Sequence, residues 1–193
     1  MKVFVNILSG FRIAAAFGVI PFLLLEYFDW AFAVFVLAAA TDWLDGFLAR
    51  KFKAQTKLGG VLDQIGDKFL IVNTLVMVTM FLQIWPVLAP SMIMISRELY
   101  VSGLREFMGT RKMEMGVPKD KFAMGKIKTA TQFVSLAAIL LWVWAVNADW
   151  QSEFLTYYLL FGGIGGLWVA LLASLASAAQ YTVTFAKNLK KIK

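Results

Sequence analysis

Apolar residues run without a charge over 13–25, 30–41, 69–96, 129–148 and 154–186. A membrane-spanning helix needs about 20 mostly apolar residues. The run 69–96 is too long for one span and carries Gln83, Pro86 and Pro90 near its middle, so it divides into two spans around a short turn. The first run extends back to about Ile7. The run 30–41 is too short to cross and must continue past Asp42 to about Arg50. Six spans are predicted, at 5–25, 30–52, 58–83, 87–108, 124–147 and 154–185, giving an all-α polytopic membrane protein with one domain over 1–193. The last span is long enough to project beyond the bilayer. No convincing internal repeat is present. The longest polar stretch, 109–123, reads as a loop with room for a surface helix.

Charge placement orients these spans. With both termini on the cytoplasmic side, the outer connections are 26–29, 83–90 and 148–153; they hold Glu26, Asp29, Asp149 and Glu153 and neither Lys nor Arg. All 19 basic residues then fall in inner loops, at inner ends or in inner halves of spans, as the positive-inside rule requires. The first span contains Arg12 and lacks a small-residue cleavage site, so it does not read as a signal peptide. Tyr27, Trp30, Trp85, Trp142, Trp144, Trp150, Tyr157 and Tyr158 gather near the outer boundary as an interfacial aromatic belt. Lys187, Lys190, Lys191 and Lys193 form a basic tail, either a contact for anionic lipid or a topology signal alone.

Composition agrees. The chain is 60% hydrophobic and 16% charged, against roughly 45–50% and about 25% in soluble domains. That excludes disorder as well as an ordinary soluble fold. With no cysteine and no histidine, disulfide frameworks, thiol nucleophiles, zinc–thiolate sites and Ser-His-Asp triads are excluded. Chemistry must rest on carboxylates, Lys, Arg and backbone. The net charge of +7 is read as retained inner-side Lys and Arg rather than as a nucleic-acid signal.

Four aspartates then stand out within spans: Asp42, Asp45, Asp63 and Asp67. Ionisable residues at membrane depth cost several kcal/mol and point to function. Asp42 and Asp45 (i, i+3) share one face of the second helix; Asp63 and Asp67 (i, i+4) share one face of the third. At about 1.5 Å per residue, all four lie roughly 8–13 Å inside the inner boundary. Converging like charges in low dielectric require neutralisation. Without His or Cys as co-ligand, hard divalent cations fit best, and two Mg²⁺ balance four carboxylates. Paired metals suit displacement at phosphorus. Two other readings stay open: structural pairing with Arg50, Lys57 or Lys68, and a cation or proton pathway. Gly46, beside Asp45, and Gly59, one turn before Asp63, permit close approach of a ligand or a neighbouring helix.

The stretch 42–67 reads D-x2-D-G-x2-A-R-x8-G-x3-D-x3-D, through Asp42, Asp45, Gly46, Ala49, Arg50, Gly59, Asp63 and Asp67. This resembles the signature of the CDP-alcohol phosphotransferases, at eight fixed positions over 26 residues. Segments 6–12, 96–106 and 125–129 resemble the bacterial members that form phosphatidylglycerophosphate and CMP from CDP-diacylglycerol and sn-glycerol 3-phosphate. The resemblance covers residues from about 5 to 145; the last span matches in hydrophobicity only. It implies a homodimeric membrane enzyme of six helices in the bacterial cytoplasmic membrane, with its site facing the cytoplasm. It implies that Asp42, Asp45, Asp63 and Asp67 hold two Mg²⁺ or Mn²⁺ ions and that Asp67 is also the general base. It places Asn6, Gly46, Arg50, Thr56 and Gly59 at the CDP-diacylglycerol. Gln64, Gly66 and Ser9 depart from the Pro, Ala and Thr common in such relatives, and none of these is a ligand position.

A phosphorylated acceptor calls for a basic pocket. Candidates are Arg97, Arg105, Lys126 and Lys128. Arg97 lies about 17 Å in from Pro86, level with the deeper aspartates, and an arginine there needs an anion. Glu98 is adjacent but points elsewhere on the helix, which leaves a motif aspartate or the acceptor phosphate as partner. Arg12, at the inner end of the first span, ranks below these as a contact for substrate or lipid headgroups. Inositol phosphate, serine or phosphatidylglycerol as acceptor, and a cation or proton transporter, are the alternatives.

Overall fold

The computed structural model describes residues 2–51, 57–111, 122–150 and 152–190; side chains are described at 10–41, 59–62, 64–111, 127–150 and 152–189. The described residues form six α-helices: α1 (Lys2–Leu24), α2 (Phe28–Lys51), α3 (Lys57–Leu82), α4 (Trp85–Thr110), α5 (Phe122–Asn147) and α6 (Glu153–Lys190). Each predicted span matches one helix to within a few residues, and α6 runs longer than its predicted span. By length and apolarity, Gly59–Leu82, Ile127–Asn147 and Glu153–Leu189 qualify as membrane spans, while Gly10–Leu24 and Phe28–Thr41 are shorter apolar helices.

Three tight turns separate the helices pairwise, and each uses one left-handed residue. Glu26 (φ 62°) and Asp149 (φ 50°) each sit two residues after a helix end. The Tyr27 N–H reaches back to the Phe22 carbonyl (2.8 Å) and that of Trp150 to Ala145 (3.0 Å). The Glu26 N–H bonds the Leu23 carbonyl at 3.1 Å, which completes the two-bond cap that ends a helix and satisfies its last carbonyls. Gln83 (φ 48°) makes the simpler one-bond version to Thr79 at 3.0 Å. Pro86 then lies at the start of α4, where a missing N–H costs nothing.

Side-chain contacts fix helix directions. Arg12 meets Asp67 and Phe17 meets Phe69, so α1 and α3 run parallel. Trp85 meets Trp168 and Phe107 meets Phe185, so α4 and α6 are parallel. Phe32 meets Trp144 and Phe35 meets Phe133, so α2 and α5 are antiparallel. The bundle therefore alternates up and down, with the three tight turns at one end and the last turns of α2 and α4 and the first turns of α3 and α5 at the other. Its core draws on all six helices, among them Ala16 and Val19, Phe35, Leu70 and Leu75, Met94, Leu136 and Ile139, and Leu167 and Ala170. Outward-facing apolar side chains such as Leu99, Val134, Phe154 and Leu172 remain exposed, as lipid-facing positions do in a protein whose solvent is hydrocarbon.

α5 and α6 approach each other closely. A Cβ at Gly163 would press on Ile139 and one at Gly166 would collide with Ser135 Oγ, whereas Gly162 and Gly165 face open space. Glycine at two of four positions is therefore demanded by packing. Polar groups also tie helices together outside the charged cluster. Asn73 Nδ2 donates to the Ala16 carbonyl (2.9 Å), and Trp168 Nε1 to that of Pro86 (3.0 Å).

Candidate active site

The described Lys and Arg side chains lie toward the end of the bundle away from the tight turns. Asp67 lies ten residues into α3, roughly 15 Å from its start. It accepts a hydrogen bond from Arg12 Nη1 at 3.1 Å. Arg12 is fully buried, whereas the Asp67 side chain keeps 27% of its surface accessible. The guanidinium stem lies along Gly66, where an added Cβ would make ordinary contact with Arg12. Sequence reading ranks Arg12 below the other basic residues, as a contact for substrate or lipid headgroups; here it pairs with Asp67. That partner comes from α1, 55 residues away in sequence.

Asp42 and Asp45 lie in α2 and Asp63 in α3, with side chains outside the described set, as are those of Asn6, Arg50 and Lys126; Thr56 lies outside the described residues altogether. Gly46 lies in α2, and Gly59 is buried near the start of α3. Among the described residues no three His, Cys, Asp or Glu side chains cluster; three of the four predicted ligands are not among them. The last turns of α2 and the first turns of α3 flank one short connection, and their donors are oxygens only. That donor chemistry fits hard divalent cations.

A basic cluster that begins at Lys68, the residue after Asp67, is assembled from α3, α4 and α5. Arg97 is buried to 8% exposure. Its Nε donates to the Ser174 carbonyl (3.0 Å), Nη2 to Ser177 Oγ (3.0 Å) and Nη1 to Glu98 Oε1 (2.9 Å). The Glu98 carboxylate also pairs with Lys128, itself buried. The expectation that Glu98 points elsewhere is therefore corrected. Its Cα does lie a hundred degrees round the helix, but two long side chains bring carboxylate and guanidinium together. Arg105 donates to the Tyr181 hydroxyl and stands 4.8 Å from the centre of its ring. Arg97, Arg105 and Lys128, predicted together for the acceptor phosphate, do lie in one neighbourhood: Arg97 feels the charge of Arg105, and Lys128 that of Arg97.

Sequence reading missed Lys68 as a member. Its Nζ donates to Ser102 Oγ at 2.6 Å, while Ser102 Oγ donates to the Glu98 carbonyl at 2.7 Å. The charge of Lys68 is felt with those of Arg97, Arg105 and Lys128. A usable signal existed, since Lys68 follows Asp67 directly inside an apolar segment. Ser174, Ser177 and Tyr181 were also missed, and a few small polar residues in the long run 154–186 gave no such signal. The described cluster thus holds Lys68, Arg97, Arg105 and Lys128 against the single carboxylate of Glu98. Four cations and one anion within a bundle of apolar helices favour an anionic ligand of about two charges or more.

A cavity of about 290 Å³ opens at the opposite, tight-turn end, lined by Glu26, Phe28, Asp29, Trp144, Asn147 and Ala148. It contains none of the predicted site residues.

The chain thus presents an all-helical bundle with an acidic sequence motif on α2 and α3 and a basic cluster formed by α3, α4 and α5. The family profile described as CDP-alcohol phosphatidyltransferase matches residues 2–168. The chain belongs to this family. It is 34% identical over 183 residues to a CDP-diacylglycerol–glycerol-3-phosphate 3-phosphatidyltransferase of Pectobacterium atrosepticum, covering 91% of each chain. It is 35% identical over 183 residues to the protein of the same name from Escherichia coli K12, again covering 91% of each. A relative of that name from Cereibacter sphaeroides is 39% identical over 141 residues, covering 70% of this chain and 62% of its own.

Proposed function

We propose that the protein transfers the phosphatidyl group of CDP-diacylglycerol to sn-glycerol 3-phosphate, forming phosphatidylglycerophosphate and CMP. The observation that carries this reading is the cluster of Lys68, Arg97, Arg105 and Lys128, which begins at the residue after Asp67, in a chain of this family. The names of its relatives support the choice of acceptor. An acceptor without phosphate leaves the cluster with one carboxylate for four cations, which disfavours serine.

The donor keeps its acyl chains in the bilayer and presents its headgroup to the inner half of the bundle, with Asn6, Gly46, Arg50, Thr56 and Gly59 at the cytidine diphosphate. The acceptor enters from the cytoplasm, and its phosphate is held by Arg97, Arg105 and Lys128, with Lys126 and Lys68 beside them. The 1-hydroxyl of the acceptor attacks the phosphorus that bears diacylglycerol. One P–O bond forms, the P–O bond to CMP breaks, and the hydroxyl proton passes to the Asp67 carboxylate. Arg12 holds that carboxylate in place through its 3.1 Å hydrogen bond. Asp42, Asp45, Asp63 and Asp67 would hold two divalent cations, Mg²⁺ or Mn²⁺, which when bound offset charge on the pyrophosphate oxygens and on departing CMP.

The whole chain is one catalytic domain of six membrane spans in the bacterial cytoplasmic membrane. Both termini and the site face the cytoplasm, and the protein works as a homodimer. The absence of Lys and Arg from the outer connections supports this orientation.

The test is CMP release by purified protein in detergent with CDP-diacylglycerol and Mg²⁺, with glycerol 3-phosphate, inositol phosphate or serine as acceptor. Release with glycerol 3-phosphate alone, abolished by EDTA and restored by Mg²⁺ or Mn²⁺, is expected. Release with another acceptor instead would overturn the assignment of the basic cluster. No release with any acceptor, from folded protein, would overturn the transferase reading.

A further inference from the structure

The family match ends at residue 168, yet α6 continues for about six turns beyond it. Ser174, Ser177 and Tyr181 follow at i, i+3 and i+7, on one face of this extension. All three engage arginines of α4. The Ser174 carbonyl and Ser177 hydroxyl accept from Arg97. Tyr181 meets Arg105 with both its hydroxyl and its ring. Near by, Tyr100 and Thr182 join the same two helices by a hydrogen bond of 3.0 Å.

These contacts are costly to explain as packing alone. A lipid-facing helix gains nothing from aiming hydroxyls at guanidinium groups unless the groups must be held. Arginine is long and loses much rotamer freedom when it binds an anion. A tyrosine ring has few rotamers, and one that stacks on a guanidinium while accepting its N–H fixes its direction before ligand arrives. We propose that Tyr181 is a positioning residue for the acceptor: through Arg105, the inner half of α6 presets the pocket for the phosphate of glycerol 3-phosphate. The inference rests on the acceptor pocket proposed above and adds to it a helix segment outside the family match.

The test is steady-state kinetics on the full chain with both substrates varied, for Tyr181→Ala, Tyr181→Phe, Arg105→Ala and the double variant Tyr181→Ala/Arg105→Ala. Tyr181→Ala should raise the KM for glycerol 3-phosphate roughly tenfold, leaving kcat and the KM for CDP-diacylglycerol within about twofold. Tyr181→Phe, which keeps the ring, should recover part of that loss. The double variant should be no worse than Arg105→Ala, because Tyr181 acts through Arg105. A double variant whose losses multiply would overturn the proposal, as would an unchanged acceptor KM in Tyr181→Ala when Arg105→Ala raises it. If Arg105→Ala itself leaves the acceptor KM unchanged, the acceptor pocket is wrong and the proposal falls with it. Should Tyr181→Ala not assemble, Tyr181→Phe alone and combined with Arg105→Ala decide the same question.

Discussion

Arg97 offers the most informative single perturbation. A guanidinium carries five N–H groups. Three are engaged within the protein, by the Ser174 carbonyl, Ser177 Oγ and Glu98. One N–H on each terminal nitrogen remains for a ligand, a geometry suited to two oxygens of one phosphate. A hydrogen bond to a charged group contributes about 1.5–3 kcal/mol, and each 1.4 kcal/mol is a factor of ten. Arg97→Ala should therefore raise the KM for glycerol 3-phosphate by roughly 10–100-fold and leave that for CDP-diacylglycerol within about twofold. The same change strips the Ser174 carbonyl and Ser177 hydroxyl of their donor inside the bundle, though Glu98 keeps Lys128. Removing one member of such a buried network costs about 3 kcal/mol, so thermal unfolding in detergent must accompany the kinetics. Arg97→Lys separates the two effects. It retains the buried charge but has no planar fork to serve three partners, and should fall between wild type and Ala in acceptor KM. A rise in the donor KM with the acceptor KM unchanged would move Arg97 to the nucleotide side and refute the reasoning.

Four further outcomes are expected. Asp67→Asn should abolish CMP release while the protein still assembles, because Asn keeps an oxygen for Arg12 but cannot take the proton; near-normal turnover would end the assignment of Asp67 as base. Arg12→Ala should lower stability by about 3–5 kcal/mol, measured by thermal unfolding in detergent, since it removes the buried partner of Asp67. Gly166→Ala and Gly163→Ala should each destabilise by about 1–3 kcal/mol through collision with α5, whereas Gly162→Ala and Gly165→Ala, which face open space, should be neutral or stabilising by up to about 1 kcal/mol; equal effects at all four would contradict the described α5–α6 contact. Because the chain has no cysteine, single cysteines introduced at Asp149 and Lys187 report topology directly. Only the first should react with an impermeant thiol reagent added outside intact cells, and the opposite pattern would invert the orientation.

The number, order and approximate limits of the helices were present in the sequence itself, because charge-free runs and helix stops are local properties. The interruption at Gln83 and Pro86 reappears as a left-handed residue followed by a helix-starting proline. The acidic connections after the first and fifth spans contain the capping turns at Glu26 and Asp149. The spacing of Asp42, Asp45, Gly46, Arg50, Gly59, Asp63 and Asp67 was enough to suggest the family; Arg97, Arg105, Lys126 and Lys128 were legible as candidates for an acceptor phosphate, but only Arg97 as a charge deep enough to need an anion. Which charges meet was decided only by the tertiary structure. The partners of Asp67, Arg97 and Arg105 lie 55, 77 to 80 and 76 residues away, and no local pattern specifies contacts between helices so distant in sequence. They follow from how the six apolar surfaces pack, which sets α1 beside α3 and α6 beside α4. Glu98 shows the same limit at the shortest range. Helix geometry places its Cα off the Arg97 face, but the reach of two flexible side chains, drawn together by opposite charge in a medium of low dielectric, closes the gap.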